Sequence, residues 1–153
     1  MILKDEVELL RRVPLFAGVE PTKLKLLAFT SDRMSFEAGQ ILFEQGDAGD
    51  AAYVVLNGSA EVLVNRAGSQ IKVADLEKNA IVGEIAILCD VPRTATVRAH
   101  ERLETLKISK DQFLRLLAEF PDMAIEIMRV LADRLGRTTA ELSEARAQLS
   151  RRS

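Results

Sequence analysis

The chain has 153 residues, with 21 Lys and Arg against 23 Asp and Glu, a formal net charge of −2, one His and one Cys. That length suits one domain around one hydrophobic core, and the mildly acidic balance lacks the concentrated basic face that nucleic-acid binding needs. A lone Cys forms no intrachain disulfide, and one His with one Cys cannot build a zinc site from protein ligands alone. The N-terminal Met-Ile-Leu-Lys-Asp-Glu carries charge where a signal peptide needs an apolar core, and no apolar run reaches membrane-spanning length. The expectation is a cytoplasmic protein with no membrane contact.

In chain order, residues 4–12 and 21–30 have helical spacing, with Leu9, Leu24, Leu26 and Leu27 as expected core. Between them Pro14 interrupts the helix, and Phe16 can plug against the strand-rich body of the domain. From residue 32 to about 109 the chain reads as short β-branched runs punctuated by Gly, Asn and Asp. Gly39, Gly46, Gly58 and Gly68 read as turn residues, and Tyr53, the only tyrosine, as a core or rim packing residue. Such punctuation predicts an α+β, mainly β fold: an antiparallel jelly-roll-like β-barrel flanked by N-terminal helices and a long C-terminal helix. Lys110 to Glu119 reads as an amphipathic helix, and Pro121 opens another at a first-turn position. The whole chain, 1–153, is expected to be one domain: helices over 1–31, the barrel over 32–109, and helices over 110–150.

One interruption of the strands is chemically distinctive. Residues 82–99 run Val-Gly-Glu-Ile-Ala-Ile-Leu-Cys-Asp-Val-Pro-Arg-Thr-Ala-Thr-Val-Arg-Ala. Gly83 permits positive φ and close backbone approach. Glu84 to Leu88 is long enough for one helical turn, whose first N–H groups have no intrahelical partner and favour an anion. Arg93 offers a planar fork matched to two phosphate oxygens. Glu84 would repel a phosphate, but it can accept a hydrogen bond from a sugar hydroxyl. The pattern suits a ligand that holds one phosphate charge and one ribose hydroxyl close together. The plainer alternative is a surface helix-turn with Arg93 solvated.

Gly83, Glu84, Ile85, Ala86, Ile87, Arg93, Thr94, Ala95 and Thr96 fill, without a gap, a pattern that resembles the phosphate-binding cassette of the cyclic-nucleotide-binding domain family. That family includes the catabolite activator, kinase regulatory subunits and cyclic-nucleotide-gated channels. The runs Ile41 to Asp47 and Asp50 to Val62 extend the resemblance. It implies that residues 82–96 form the cassette. Ligand phosphate would lie against Arg93, Thr94, Ala95, Ile85 and Ala86, and ribose against Gly83 and Glu84. Val62, Val73 and Val82 would pack on the base, although barrel-core positions would carry the same residue types.

The last helix carries a second pattern. Met128, Leu131, Leu135, Thr138, Leu142, Ala145 and Leu149 alternate spacings of three and four, a heptad seam. The stripe runs past what one small barrel can cover, which predicts a homodimer through this helix. The segment from Ala132 to Thr139 is similar to the stretch of the catabolite activator's long helix that meets adenine. By that resemblance Thr138, Thr139 and Arg134 approach the base; for Thr139 a solvated or dimer face is an equal alternative. Thr94, by contrast, matches cGMP-responsive sites. The balance favours cAMP, with cGMP also bound.

No Ser/His/Asp arrangement, metal-ligand cluster or Walker-type lysine loop is present, so neither catalysis nor a cofactor or metal is expected. Cys89 falls in the cassette's variable spacer as an incidental thiol, and His100 reads as a solvated loop residue. With no helix-turn-helix, kinase or channel segment in these residues, the expectation is a sensor that signals to a separate, unknown downstream protein. Two alternatives stand beside it: a protein-interaction module with a vestigial pocket, and a regulatory fragment of a longer transcription regulator, kinase or channel.

Overall fold

The computed structural model describes residues 3–13 and 16–152; the side chains of 3–6, 130, 134 and 152 lie outside that description, as do Pro14 and Leu15. Two helices, α1 (Leu3–Arg11) and α2 (Pro21–Thr30), lead into β1 (Asp32–Phe36), β2 (Ile41–Phe43), β3 (Ala51–Asn57), β4 (Ala60–Arg66), β5 (Ser69–Leu76) and β6 (Ile81–Val82). A short α3 (Glu84–Cys89) comes next, then β7 (Thr96–Ala99), β8 (Leu103–Ser109), α4 (Lys110–Glu119) and α5 (Pro121–Arg152). Pro21 and Pro121 both open helices, where the missing N–H is no loss. Ser109 caps α4 by accepting from Gln112 N at 3.2 Å.

Strand β3 explains the layering. Its run Ala51-Ala52-Tyr53-Val54-Val55-Leu56 is buried at every position, so both faces of the strand must be covered. Ala52, Val54 and Leu56 belong to a core shared with Leu10, Phe16, Leu24, Leu106, Phe113 and Ile127. Val55, on the opposite face, packs with Ala60, Val97, Ala99 and Leu103. Helices therefore lie on one side of β3 and a second sheet on the other.

The strands do not close into the barrel expected from the sequence. They form two four-stranded antiparallel sheets, ordered β1-β8-β3-β6 and β2-β7-β4-β5. No ladder joins the edge strands of one to those of the other among the described residues: β6 has two residues, and the short β2 breaks register against β7. The turn glycines Gly39, Gly46, Gly58 and Gly68 all lie outside the strands, and Tyr53 is a packing residue, 5% exposed.

Leu24, Leu27 and Ala28 occupy the inner face of α2, as i, i+3 and i+4 spacing requires. Leu26, expected in the core, is 57% exposed instead, because it stands about 200° around the helix from Leu24. Leu9 is partly buried against the helical core. In α5, Met123 and Ile127 are buried and Leu131 packs partly on the core, but from residue 132 to 151 every described side chain is exposed.

Phe16 is fully buried where α1, α2 and the inner face of β3 meet. Phe16→Ala should lower stability by about 3–5 kcal/mol, the range for deleting a buried aromatic ring. Urea denaturation monitored by circular dichroism measures this, with a loss below about 1 kcal/mol showing that the helices pack without it.

Candidate functional site

Among the described residues only two charged side chains are buried, Glu84 at 4% and Arg93 at 3% exposure. Both line one cavity of about 580 Å³, walled by the β4–β5 ribbon, β6, α3 and the loop after it. Burying charge is costly, and two opposite charges at one cavity mark a functional site more often than a structural one. A cavity of about 650 Å³ at the α4–α5 corner gathers no buried charge.

The backbone sets the geometry. Gly83 lies at φ 93°, ψ −2°, and turns the chain directly into α3. A Cβ there would stand 2.6 Å from Arg93 Nη1 and 2.9 Å from Ala51 O, so only glycine lets the guanidinium occupy its place. Asp90, also left-handed at φ 51°, ends the helix after six residues. Gly49 performs a similar service from the β2–β3 loop: a Cβ added there would overlap that of Ala86.

Arg93 is held on several sides. Its Nη2 donates to Ala51 O at 2.7 Å and its Nη1 to Gly83 O at 3.1 Å. The β2–β3 loop clamps its backbone, with Arg93 N donating to Asp47 O at 2.7 Å and Arg93 O accepting from Gly46 N at 2.8 Å. Its Cζ lies 3.9 Å from the centroid of the Phe43 ring, a stacking contact suited to guanidinium. Phe43 is braced by Tyr53 at 5.9 Å between centroids, and Tyr53 by Phe36 at 6.3 Å. Desolvation lowers the guanidinium's pKa from its ordinary value, opposed first by the charge of Asp50 and less by those of Asp47 and Glu84. Asp50 stands 3.5 Å from Nη2 but is 75% exposed, so water screens it. Arg93 Nε is buried with no acceptor among the described residues, which leaves one strong donor for a ligand anion.

The cassette residues Gly83, Glu84, Ile85, Ala86, Arg93, Thr94 and Ala95 all line this cavity, and Val62 and Val82 line its apolar wall. Thr96 is buried and accepts from Gln45 N at 2.9 Å, a structural bond rather than a cavity contact. Other expected positions lie elsewhere. Val73 is 55% exposed and off the cavity: Val62 pairs with Ala74 and Leu63 with Lys72, so Val73 is the extra residue of a bulge. Thr138 and Thr139 are exposed on α5 and do not line it, and the Arg134 side chain lies outside the described residues. Among the described residues, Arg137 is the α5 residue that reaches the cavity, while pairing with Asp133 at 3.0 Å. The sequence reading missed Arg137, Phe43 and Asp50. An aromatic about fifty residues before an arginine carries no local signal, but Arg137 sits four residues after Asp133, a spacing that sequence does reveal.

His100 is exposed beside Glu61 at 3.2 Å, and Cys89 is exposed. Among the described residues no group of three or more His, Cys, Asp or Glu could hold a metal ion, and no helix is long and apolar enough to cross a membrane.

Residues 33–120 match the family model of the cyclic nucleotide-binding domain. The chain belongs to that family. It is 39% identical over 114 residues to the cAMP-dependent protein kinase regulatory subunit of Mucor circinelloides f. lusitanicus, an alignment covering 74% of this chain and 27% of that protein. To the CRP-like cAMP-activated global transcriptional regulator of Mycobacterium tuberculosis (strain CDC 1551 / Oshkosh) it is 27% identical over 139 residues, 90% of this chain and 62% of the regulator. The crystal structure of the Thermus thermophilus catabolite activator protein superposes with a TM-score of 0.78 at 30% identity, covering 85% of this chain and 62% of that one. The chain spans about a quarter of the length of the kinase regulatory subunits it matches. The domain type is a regulatory, non-catalytic one, and the two sheets with flanking helices are its fold.

Gly83 is the backbone pivot of the cassette. Gly83→Ala should lower stability by about 1–2 kcal/mol through left-handed strain alone, and more where the new methyl meets Arg93 Nη1. The same variant should weaken cyclic-nucleotide binding, because the guanidinium must move. A thermal melt and a cAMP titration check both effects; unchanged values in both would show that the pivot tolerates a side chain.

Proposed function

We propose that this chain is a regulatory sensor domain that binds a 3′,5′-cyclic nucleotide in the cavity between α3 and the β4–β5 ribbon. The observation that carries the reading is the pair of buried opposite charges, Arg93 and Glu84, at one cavity. The cyclic phosphate sits against Arg93, with the N–H groups of Ile85, Ala86 and Ala95 and the hydroxyl of Thr94 around it. Glu84 accepts from the ribose 2′-hydroxyl next to Gly83. The base lies along Val62 and Val82 toward α5. A vestigial pocket would have no reason to keep two charges out of water.

The ligand we favour is cAMP, which the names of the kinase subunit and of the M. tuberculosis regulator carry; cGMP is the second ligand to test. Thr138 and Thr139 reach the base only through a movement of α5 toward the cavity, with Arg137 already at its rim. Such a movement becomes a switch if the ligand binds the closed arrangement more tightly than the open one, and the signal then passes to a downstream protein.

The same helix supports a homodimer. Met128, Leu135, Leu142 and Leu149 are 60%, 67%, 55% and 65% exposed at seven-residue intervals, an apolar seam that a second copy of α5 would cover.

Two substitutions test the binding site. Arg93→Ala should weaken cAMP binding by about 2–5 kcal/mol, upward of roughly thirtyfold in dissociation constant. Glu84→Gln should cost about 1.5–3 kcal/mol with cAMP and almost nothing with 2′-deoxy-cAMP. Isothermal titration calorimetry of each variant is the measurement; near-unchanged affinity in Arg93→Ala removes the phosphate site, and equal losses for both ligands make Glu84 structural.

For the dimer, sedimentation velocity should give a dimer for the intact chain and a monomer when it is ended before Leu131. A monomeric intact chain at high concentration would leave the α5 stripe without its partner.

A further inference from the structure

Among the described residues, four charged side chains line the cavity between α3 and the β4–β5 ribbon, and the function proposed above employs two of them, Arg93 and Glu84. The other two are Asp75 on β5 and Arg137 on α5. Side chains on a helix lean toward its N-terminus, so Arg137, nearly three turns past the buried Ile127, reaches back toward the body of the domain. Its neighbours Thr138 and Thr139 do not line the cavity. The Arg137 side chain is 75% exposed, and its partner Asp133, at 3.0 Å, is exposed and off the cavity. An exposed ion pair of this kind is worth little, so Asp133 can give up the guanidinium to a ligand at small cost.

A purine lying along Val62 and Val82 turns its outer rim to α5, and the two common purines differ at that rim. Guanine presents two acceptors side by side, O6 and N7, whereas adenine sets N7 beside the N6 amine, a donor. A guanidinium carries donors only. Its planar fork meets both guanine atoms, but against adenine one N–H confronts another donor. Asp75 cannot separate the two bases in this way. A carboxylate only accepts, and either base offers it a donor: adenine its N6 amine, guanine its N1–H and N2 amine. Asp75 is also held by Lys72 at 3.2 Å.

We propose that Arg137 sets the base specificity of this site by reading the O6 and N7 edge of guanine, which raises affinity for cGMP relative to cAMP. The inference rests on the cavity being the cyclic-nucleotide site proposed above. It assigns base reading on α5 to the described residue that already lines the cavity, without the helix movement that Thr138 and Thr139 require.

The test is calorimetric titration of the intact chain and its Arg137 variants with cAMP, cGMP and cIMP, the last of which keeps O6 and N7 but lacks the N2 amine of guanine. Arg137→Ala should weaken cGMP and cIMP by about tenfold each, toward the lower end for a bidentate arginine–guanine contact, and cAMP by less than about threefold. Arg137→Gln should shift preference toward cAMP further than Arg137→Ala does, because a glutamine amide donates to N7 and accepts from the N6 amine. The side chain is exposed, so both variants should melt at the wild-type temperature. Equal losses for all three ligands, or a cGMP-to-cAMP ratio unchanged in Arg137→Ala, overturn the proposal. A loss confined to cGMP and sparing cIMP places the discrimination at the N2 amine and overturns it equally. Those results leave the nucleotide site standing, whereas a wild-type chain that binds none of the three ligands removes the site and this inference together.

Discussion

A buried guanidinium organises this molecule. Arg93 is removed from water, and the desolvation of a cation costs several kcal/mol unless the surroundings compensate. The nearest carboxylate, Asp50, is too exposed to do so alone. The compensation is spread over backbone carbonyls, at Ala51 and Gly83, and over the face of Phe43. Each of those groups is fixed by something else. Ala51 is tied into β3, which pairs with β8 and is sealed on both faces. Gly83 is held in a left-handed turn, and Phe43 leans on Tyr53 and Phe36. The two-sheet architecture is thus what makes a buried cation tolerable.

Such an arrangement leaves the cavity incomplete in a directed way. Carbonyls occupy both terminal nitrogens of Arg93, while Nε stays buried without an acceptor among the described residues. An orphaned charged donor is expensive, so an anion that reaches it gains more than it would at a solvated arginine. Glu84, one residue after the pivot, brings negative charge to the same cavity. A ligand carrying only phosphate would be repelled there, and one carrying only a hydroxyl would leave Arg93 unmet. The pairing suits a small molecule that carries both groups, as in the function proposed above.

How much of this the sequence disclosed depends on the range of each interaction. The cassette was legible because its parts are local: Gly83, Glu84 and the first turn of α3 are neighbours, and Arg93 stands on the next loop. Helix starts at Pro21 and Pro121 were legible for the same reason. The separation into two open sheets was not, because a strand's pattern reveals which faces are buried but not whether distant edges meet; β2 and β6 are too short to close the gap. Leu26 misled because α2 is apolar nearly all round, so its inward face could be chosen only from what packs against it. Val73 failed through a one-residue bulge, which changes which face a side chain takes. Phe43 and Gly49 act through contacts across long sequence separations, with Arg93 and Ala86 respectively, where no spacing rule applies.

The helix α5 carries three separable tasks, and helical geometry explains how. Its first turns bury Met123 and Ile127 in the domain core. Farther along, Arg137 reaches the cavity of Arg93 and Glu84. The exposed seam through Met128, Leu135, Leu142 and Leu149 faces neither. With about 100° between successive residues, Arg137 stands about 160° around the helix from Leu135. A partner on the seam therefore leaves Arg137 facing the cavity. If ligand draws α5 inward, it moves the seam as a rigid body, because core and seam belong to one continuous helix. Ligand and partner would then bias the same equilibrium, and linkage requires each to change the other's affinity by the same factor. A tighter dimer in the presence of nucleotide and tighter nucleotide binding at high protein concentration would be two measurements of one coupling energy.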